Sequence, residues 1–221
     1  MKILAIGCSF TFGSELPDLP PGQLITKPPS QLAFPSQLGR MIDNAKVTNL
    51  GIPSGSNSRT FRLAIDQSAK EDYDLVICAW TDNSRADFRY EGRDLATTCN
   101  SSWAFAEFPW IEHYYKYHHD QEHSWQVWLS QVVALQNHFK LKNQKYVFLS
   151  LDKPLFGKAD IRFSHLVKEV DPTNYLGWPN FGMTTWMGDC PKGPYGHPLE
   201  LGHERIANKI YEHIRHCNWI S

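Results

Sequence analysis

The sequence predicts an α/β domain built in three layers (α/β/α), with a central parallel sheet covered by helices on both faces. Three observations carry this expectation. Short apolar runs alternate with segments of helical periodicity along the chain. The run Asp74–Trp80 (DLVICAW) is apolar almost throughout, which suits a parallel strand buried on both sides. The 221 residues, 42% of them hydrophobic, suffice for one sizeable core. The expectation is a single domain over residues 1–221 with an aromatic-rich insertion at about 86–122.

Lys2–Ile6 is a short apolar run closed by Gly7 and reads as the first buried strand. A loop rich in Gly, Pro and Ser follows to about Ser30. Phe34–Ile42 reads as a short helix that tolerates Pro35 in its first turn. Lys46–Leu50 is the next strand, ended by Gly51 and Pro53. Asn57–Ala69 is a helix, with Asn57 or Ser58 as its N-cap. After the strand Asp74–Trp80, the stretch Phe88–Tyr117 carries many aromatics at spacings too irregular for a helical stripe. From Ser124 to about Leu141, Trp125, Trp128, Leu129, Val132, Leu135 and Phe139 recur at helical spacing. Tyr146–Leu151 is the fourth strand, and Gly202–His216 the last helix. Right-handed crossovers would join such strands. Ligands of such sheets bind beyond the strands' carboxyl ends. The segments to search are therefore Gly7–Ser14, Gly51–Ser58, Trp80–Arg85 and whatever follows Leu151.

Composition narrows the function classes. A net charge of -1 and a pI of about 6.8 leave no electrostatic footprint for a nucleic-acid backbone. The five cysteines form no C-x-x-C pair, so neither a disulfide framework nor a zinc ribbon is expected. The N-terminal apolar run is too short for a secretory signal, and no stretch approaches the roughly 18 apolar residues of a membrane span. A cytoplasmic protein with no membrane or nucleic-acid partner and no cofactor is the expectation.

The first segment reads Gly7-Cys8-Ser9-Phe10-Thr11-Phe12-Gly13. A serine just past a buried strand, between glycines, is placed where backbone N–H groups can stabilise an oxyanion. On its own the segment also fits a plain glycine-rich turn. The second, Asn49-Leu50-Gly51-Ile52-Pro53-Ser54-Gly55, offers the Gly51 N–H to the same edge or is an ordinary strand-to-helix turn. The fourth is Gly193-Pro194-Tyr195-Gly196-His197-Pro198, ahead of Leu199-Glu200-Leu201-Gly202-His203-Glu204-Arg205-Ile206-Ala207. Pro198 keeps His197 out of the helical region, so an imidazole sits in a loop before the last helix. There it is placed to serve as general base.

Together these segments resemble the SGNH (GDSL-type) hydrolase family. GCSFTFG is similar to the family's first block, G-D-S-x-T-x-G, with Cys8 in the aspartate's place. NLGIPSG resembles the second block, and GHPLELGHERIA the fifth, D-x-x-H-P-x-x-x-G-x-x-x-[IL]-A. The resemblance implies a flavodoxin-like sheet, Ser9 as nucleophile, His197 as base, and the Ser9 and Gly51 N–H groups as oxyanion donors. The family's third block, G-x-N-D, is replaced by Ala79-Trp80-Thr81-Asp82-Asn83. Asn83, or else Thr81, would supply the third donor. Pro194 stands where the resemblance places the triad acid, which leaves Asp189, the nearest upstream carboxylate, or a backbone carbonyl to orient His197.

Cys8 reads as a small buried hydrophobe rather than a reactive thiol. His119 and His123 would share a helix face and could ligate a metal, or belong to a polar loop. Trp80, Trp103 and Trp110 are candidate substrate-binding residues, with the aromatic insertion as a wall or lid. The reading is a serine esterase acting on small acyl esters, with O-acetyl groups on a sugar or glycan as a candidate substrate. The rivals are a catalytically lapsed binding protein of the same fold and a flavodoxin-like phosphate- or nucleotide-binding domain using Gly7–Ser14 as its cradle.

Overall fold

The computed structural model describes residues 1–19, 28–43, 45–154 and 162–220. Part of the expected loop before Ser30 and part of the segment after Leu151 lie outside the described residues.

Four parallel strands form the sheet: β1 (Lys2–Ile6), β2 (Lys46–Asn49), β3 (Leu75–Trp80) and β6 (Tyr146–Ser150), in spatial order β2-β1-β3-β6. The register sets Ile6 opposite Cys78, and Cys78 opposite Phe148. Alternating side chains then divide between two cores. On one face Ile3, Ala5, Ile77 and Leu149 pack under α2 (Phe34–Met41) and α9 (Glu200–His216). On the other, Leu4, Ile6, Val76 and Phe148 pack under α3 (Asn57–Lys70) and α6 (Gln121–Leu141). Burial on both faces explains why DLVICAW lacks a polar alternation. This is the expected three-layer α/β/α architecture.

Several boundaries differ from expectation. Ser56, not Asn57 or Ser58, caps α3, its hydroxyl accepting the Arg59 N–H at 3.0 Å. Helix α6 starts at Gln121 rather than Ser124 because Asp120 caps it through the His123 N–H at 2.6 Å. The insertion is more regular than its sequence suggests. It contains an antiparallel hairpin, β4 (Ala86–Tyr90) and β5 (Arg93–Thr97), then α4 (Ser102–Glu107) and α5 (Pro109–Tyr117). Leu95, Ala104, Phe108 and Ile111 give this layer its own small core. Helix α7 (Ser164–Glu169), a 3-10 turn at Pro172–Asn174 and α8 (Met183–Met187) lead to the final loop and α9. Among the described residues, no helix is long and apolar enough to cross a membrane.

Candidate active site

Strand β1 ends in a turn that only glycine allows. A Cβ on Gly7 would stand 2.2 Å from Thr11 Oγ1 and 2.9 Å from Ala79 Cβ. The chain then enters a single turn of helix, α1 (Ser9–Phe12), stopped by Gly13 at φ 85°. Ser9 is its first residue, 5% exposed, at the sheet's carboxyl edge. N–H groups of a first helical turn have no acceptor within the helix. Cys8, the N-cap, is fully buried in the core, as a small hydrophobe would be.

His197 reaches the same edge from the other end of the chain. Its loop is closed by the Gly193 N–H donating to the His197 carbonyl at 2.9 Å, with Gly196 at φ 84°. The imidazole lies 5.7 Å, centroid to centroid, from the ring of Phe10, the neighbour of Ser9. Its Nδ1 is 2.7 Å from Oε2 of Glu15, six residues after Ser9. That carboxylate also accepts the Tyr195 N–H at 2.8 Å and the His197 N–H at 3.1 Å. Burial pushes the Glu15 carboxyl up, but the Tyr195 N–H and the two donors of His197 together outweigh it and hold it below its ordinary value. An ionised Glu15 can only accept, so it takes the hydrogen bond of Nδ1–H, and the neutral ring then carries its lone pair on Nε2.

The backbone is shaped for this contact. Glu15 sits at φ 69°, a left-handed conformation that costs a non-glycine residue energy and clusters at functional sites. Gly193 leaves room for its side chain, since a Cβ there would stand 2.6 Å from Glu15 Cδ.

Other expected site residues fall elsewhere. Asp189 does not approach His197; its carboxylate is exposed and accepts from Arg205 at 3.2 Å. The Gly51 N–H is engaged within its own loop, donating to Asn49 Oδ1 at 2.9 Å, so it does not stand free for an oxyanion. The Thr81 N–H donates to Asn57 Oδ1 at 2.7 Å, and its hydroxyl oxygen is sealed from solvent. Asn83 differs: its Oδ1 accepts from Asn57 Nδ2 at 2.6 Å, which leaves its own amide N–H groups to point elsewhere.

Trp80 is fully buried against Phe148, because even-numbered β3 residues face the α3/α6 core; it cannot touch substrate. Trp103 and Trp110, 47% and 40% exposed, belong to the insertion, where Trp110 packs edge-on against Phe88. His119 lies ahead of α6, its Nε2 3.2 Å from Ser124 Oγ, and so does not share a helix face with His123.

Glu15 escaped the sequence reading because it is 182 residues from His197. The available signal was a carboxylate two residues past Gly13, inside the nucleophile loop, in a chain with proline at the usual acid position.

A cavity of about 280 Å³ opens between the carboxyl ends of β3 and β6 and the first turns of α6. Asn83 lines it, with Asp82, Gln121, Trp125, Asp152 and Lys153.

A sequence comparison with curated proteins finds no significant match. Among solved structures, the chain is similar to TesA, at 11% identity over 97% of this chain and 98% of that one, TM-score 0.60. It is also similar to the psychrotrophic esterase EstA from Pseudoalteromonas sp., at 13% identity over 98% of both chains, TM-score 0.56. A third is a G-D-S-L family protein from Desulfitobacterium hafniense DCB-2, at 16% identity over 96% of this chain and 98% of that one, TM-score 0.55. These likenesses show that the fold is the SGNH (GDSL-type) hydrolase fold. Residues 29–221 match the family described as "Family of unknown function (DUF6071)", and the chain belongs to that family.

Proposed function

We propose that the protein is a serine hydrolase that cleaves small acyl esters, with Ser9 as nucleophile, His197 as general base and Glu15 as the carboxylate that orients His197. The observation that carries this reading is the 2.7 Å contact between Glu15 Oε2 and His197 Nδ1, on a loop packed against the neighbour of Ser9. A buried carboxylate on one ring nitrogen leaves the other to act on a hydroxyl.

His197 Nε2 takes the Ser9 Oγ proton as Oγ bonds to the ester carbonyl carbon. The Ser9 N–H and an amide N–H of Asn83 hold the oxygen that becomes negative. Collapse of this intermediate expels the alcohol, which receives the proton from His197 and leaves an acyl-serine. Water then repeats the sequence, with His197 again the base, and releases the acid. Glu15 stays ionised throughout and stabilises each imidazolium. The partner is thus a small ester, and the step balances without a cofactor. Five free cysteines are in keeping with a reducing, cytoplasmic compartment.

EstA was solved inhibited by monoethylphosphonate, and a phosphonate probe suits the test here. Wild-type, Ser9→Ala and Cys8→Ala proteins would be treated with a fluorophosphonate and read by intact mass. One adduct on wild type and Cys8→Ala, absent from Ser9→Ala, is expected. An adduct that persists in Ser9→Ala, or none on folded wild type, would overturn the reading.

A further inference from the structure

The loop that carries Asn83 is stapled at both ends by neighbouring residues of one helix. Where it leaves β3, the Asn57 side chain holds both backbone groups of Thr81, its N–H at 2.7 Å and its carbonyl at 3.1 Å. Where it enters β4, the Asp87 carboxylate accepts from the hydroxyl of Ser56. Ser56 and Asn57 are the cap and first residue of α3, 0% and 5% exposed, so the two staples share one buried platform. That platform is tied to the sheet, since Arg59 donates to the Leu50 carbonyl at 3.0 Å, just past β2. Between the staples the chain turns on Asp82, whose Oδ1 accepts the Ser84 N–H at 2.6 Å and whose carbonyl accepts the Arg85 N–H at 3.2 Å. Asn83 sits inside this turn.

The second staple belongs to the insertion. Asp87 is on β4, and the N–H of Ala86 before it donates to the Tyr115 hydroxyl of α5 at 3.1 Å. We propose that Asp87 is a positioning residue for the oxyanion donor. By docking this carboxylate on Ser56, the insertion holds the loop in the geometry from which the Asn83 amide serves Ser9. The inference rests on the hydrolase reading, with Asn83 as a donor. It makes the insertion a working part of the site.

The polar chemistry carries the assignment. A carboxylate largely removed from water costs free energy unless its oxygens are paired. Both are: Oδ1 by Ser56 and Oδ2 by Arg62. Apolar contact alone would let a hairpin slide along α3, whereas a hydrogen bond to a charged acceptor fixes position and direction. The same bond orients the Ser56 hydroxyl. With its proton on Asp87, the oxygen faces the Arg59 N–H at 3.0 Å and closes the helical turn that Asn57 begins. Arg62 contributes less, because its side chain is 57% exposed and the pair is screened. Without Asp87 the loop is held at Thr81 alone. A misplacement of about 1 Å at a reacting geometry can cost on the order of a hundredfold in rate.

The test compares Asp87→Ala, Asp87→Asn and Arg62→Gln with wild type. One readout is the 15N heteronuclear NOE of the Asn83 side-chain amide, assigned by its loss in Asn83→Ala. The other is kcat and KM for p-nitrophenyl acetate. In Asp87→Ala the NOE is expected to fall, and kcat to drop at least about tenfold with KM within about twofold. Asp87→Asn keeps an acceptor for the Ser56 hydroxyl, so it should restore the NOE and bring kcat within about threefold of wild type. Arg62→Gln leaves that bond in place and should stay within about twofold. Added to Asn83→Ala, Asp87→Ala should cost no more than about twofold, whereas a merely structural role would lower both backgrounds alike. An unchanged NOE or kcat in Asp87→Ala, equal losses in the two backgrounds, or an Arg62→Gln loss as large as that of Asp87→Ala would overturn the proposal. Fluorophosphonate labelling of wild type is scored separately. No labelling sinks the hydrolase reading and this inference with it; labelling with an Asn83 amide unmoved in Asp87→Ala sinks the inference alone.

Discussion

Glu15 Oε2 lies 2.7 Å from His197 Nδ1, and the same carboxylate accepts the backbone N–H groups of Tyr195 and His197. The acid therefore comes from the nucleophile's own loop and not from the loop of the histidine. Glu15→Gln removes the charge that fixes the tautomer and stabilises the imidazolium. Ester turnover should fall about a hundred- to ten-thousand-fold, in kcat more than KM. Gly193→Ala should give a smaller loss of the same kind, because its Cβ would displace the Glu15 side chain. Asp189→Asn should stay within about twofold of wild type, since Asp189 is exposed and pairs with Arg205 at the surface. Equal losses in Glu15→Gln and Asp189→Asn would return the acid role to doubt.

Acid should destabilise the fold through two separable groups. His203 is fully buried, stacked on Phe34, and its Nδ1 accepts the Phe34 N–H at 3.1 Å. Burial, then the proximity of His197, push its pKa down from 6.5 to about 4. The unfolded chain therefore binds a proton that the folded chain refuses between those values. Stability is full above pH 6.5 and falls, by about 3 kcal/mol, as pH drops towards 4. Glu15 works in a lower window. Its folded value lies below 4.5, so its contribution is present above 4.5 and lost as pH falls through the folded value. Urea midpoints against pH are the measurement. His203→Asn, which keeps an acceptor for the Phe34 N–H, should flatten the slope from 6.5 to 4, and Glu15→Gln only the part below 4.5. A His203→Asn slope matching wild type would show that the histidine is not held neutral.

What the sequence made legible was mostly what periodicity and local sterics control. DLVICAW announces a doubly covered strand because both faces need apolar residues, and His197 stays out of the last helix because Pro198 follows it. What stayed hidden depends on direction or on distant partners. Trp80 is recognisable as a strand residue, but which face it meets follows only from the register, which sets it opposite Ser150 and its ring on Phe148. The Gly51 N–H looked available until Asn49, two residues earlier, folded its side chain onto it. In the insertion, Pro109 opens α5 immediately after α4 ends, so two short helices in succession blur each other's period. No local pattern couples Glu15 to a histidine so far along the chain.

The oxyanion side of the site depends on an amide held by another amide. Asn57 accepts the Thr81 N–H at 2.7 Å and donates through Nδ2 to the Thr81 carbonyl at 3.1 Å and to Asn83 Oδ1 at 2.6 Å. It thereby fixes which end of the Asn83 amide faces outward. Asn83→Ala should lower kcat by about a hundred- to a thousandfold if that amide donates to the oxyanion. Asn57→Ala should reproduce part of this loss, and the double variant should cost little more than Asn83→Ala alone. Additive losses in the steady-state kinetics would show that Asn57 acts on something other than Asn83.

The insertion has a small core of its own, and that makes its stability testable apart from the sheet's. The β4–β5 hairpin shares no strand pairing with the four-stranded sheet, and an isolated two-stranded hairpin is marginal in water. Asp87, on β4, is largely buried and accepts from the hydroxyl of Ser56, the cap of α3, and from Arg62, six residues further on. Arg59 lies alongside, its guanidinium pKa pushed down by burial and partly restored by the charge of Asp87. Removing the carboxylate by Asp87→Ala leaves the buried Ser56 hydroxyl and Arg62 without that acceptor, and takes away the charge facing Arg59, whose guanidinium donates to the Leu50 carbonyl at 3.0 Å. Local opening should then become easier by about 2 kcal/mol. Hydrogen exchange should quicken across Ala86–Tyr117, roughly thirtyfold by that free energy. Protection in β1, β3 and β6 should be unchanged, because their hydrogen bonds and cores do not involve the hairpin. Faster exchange in those strands, or none in the insertion, would mean that the two layers unfold as one unit.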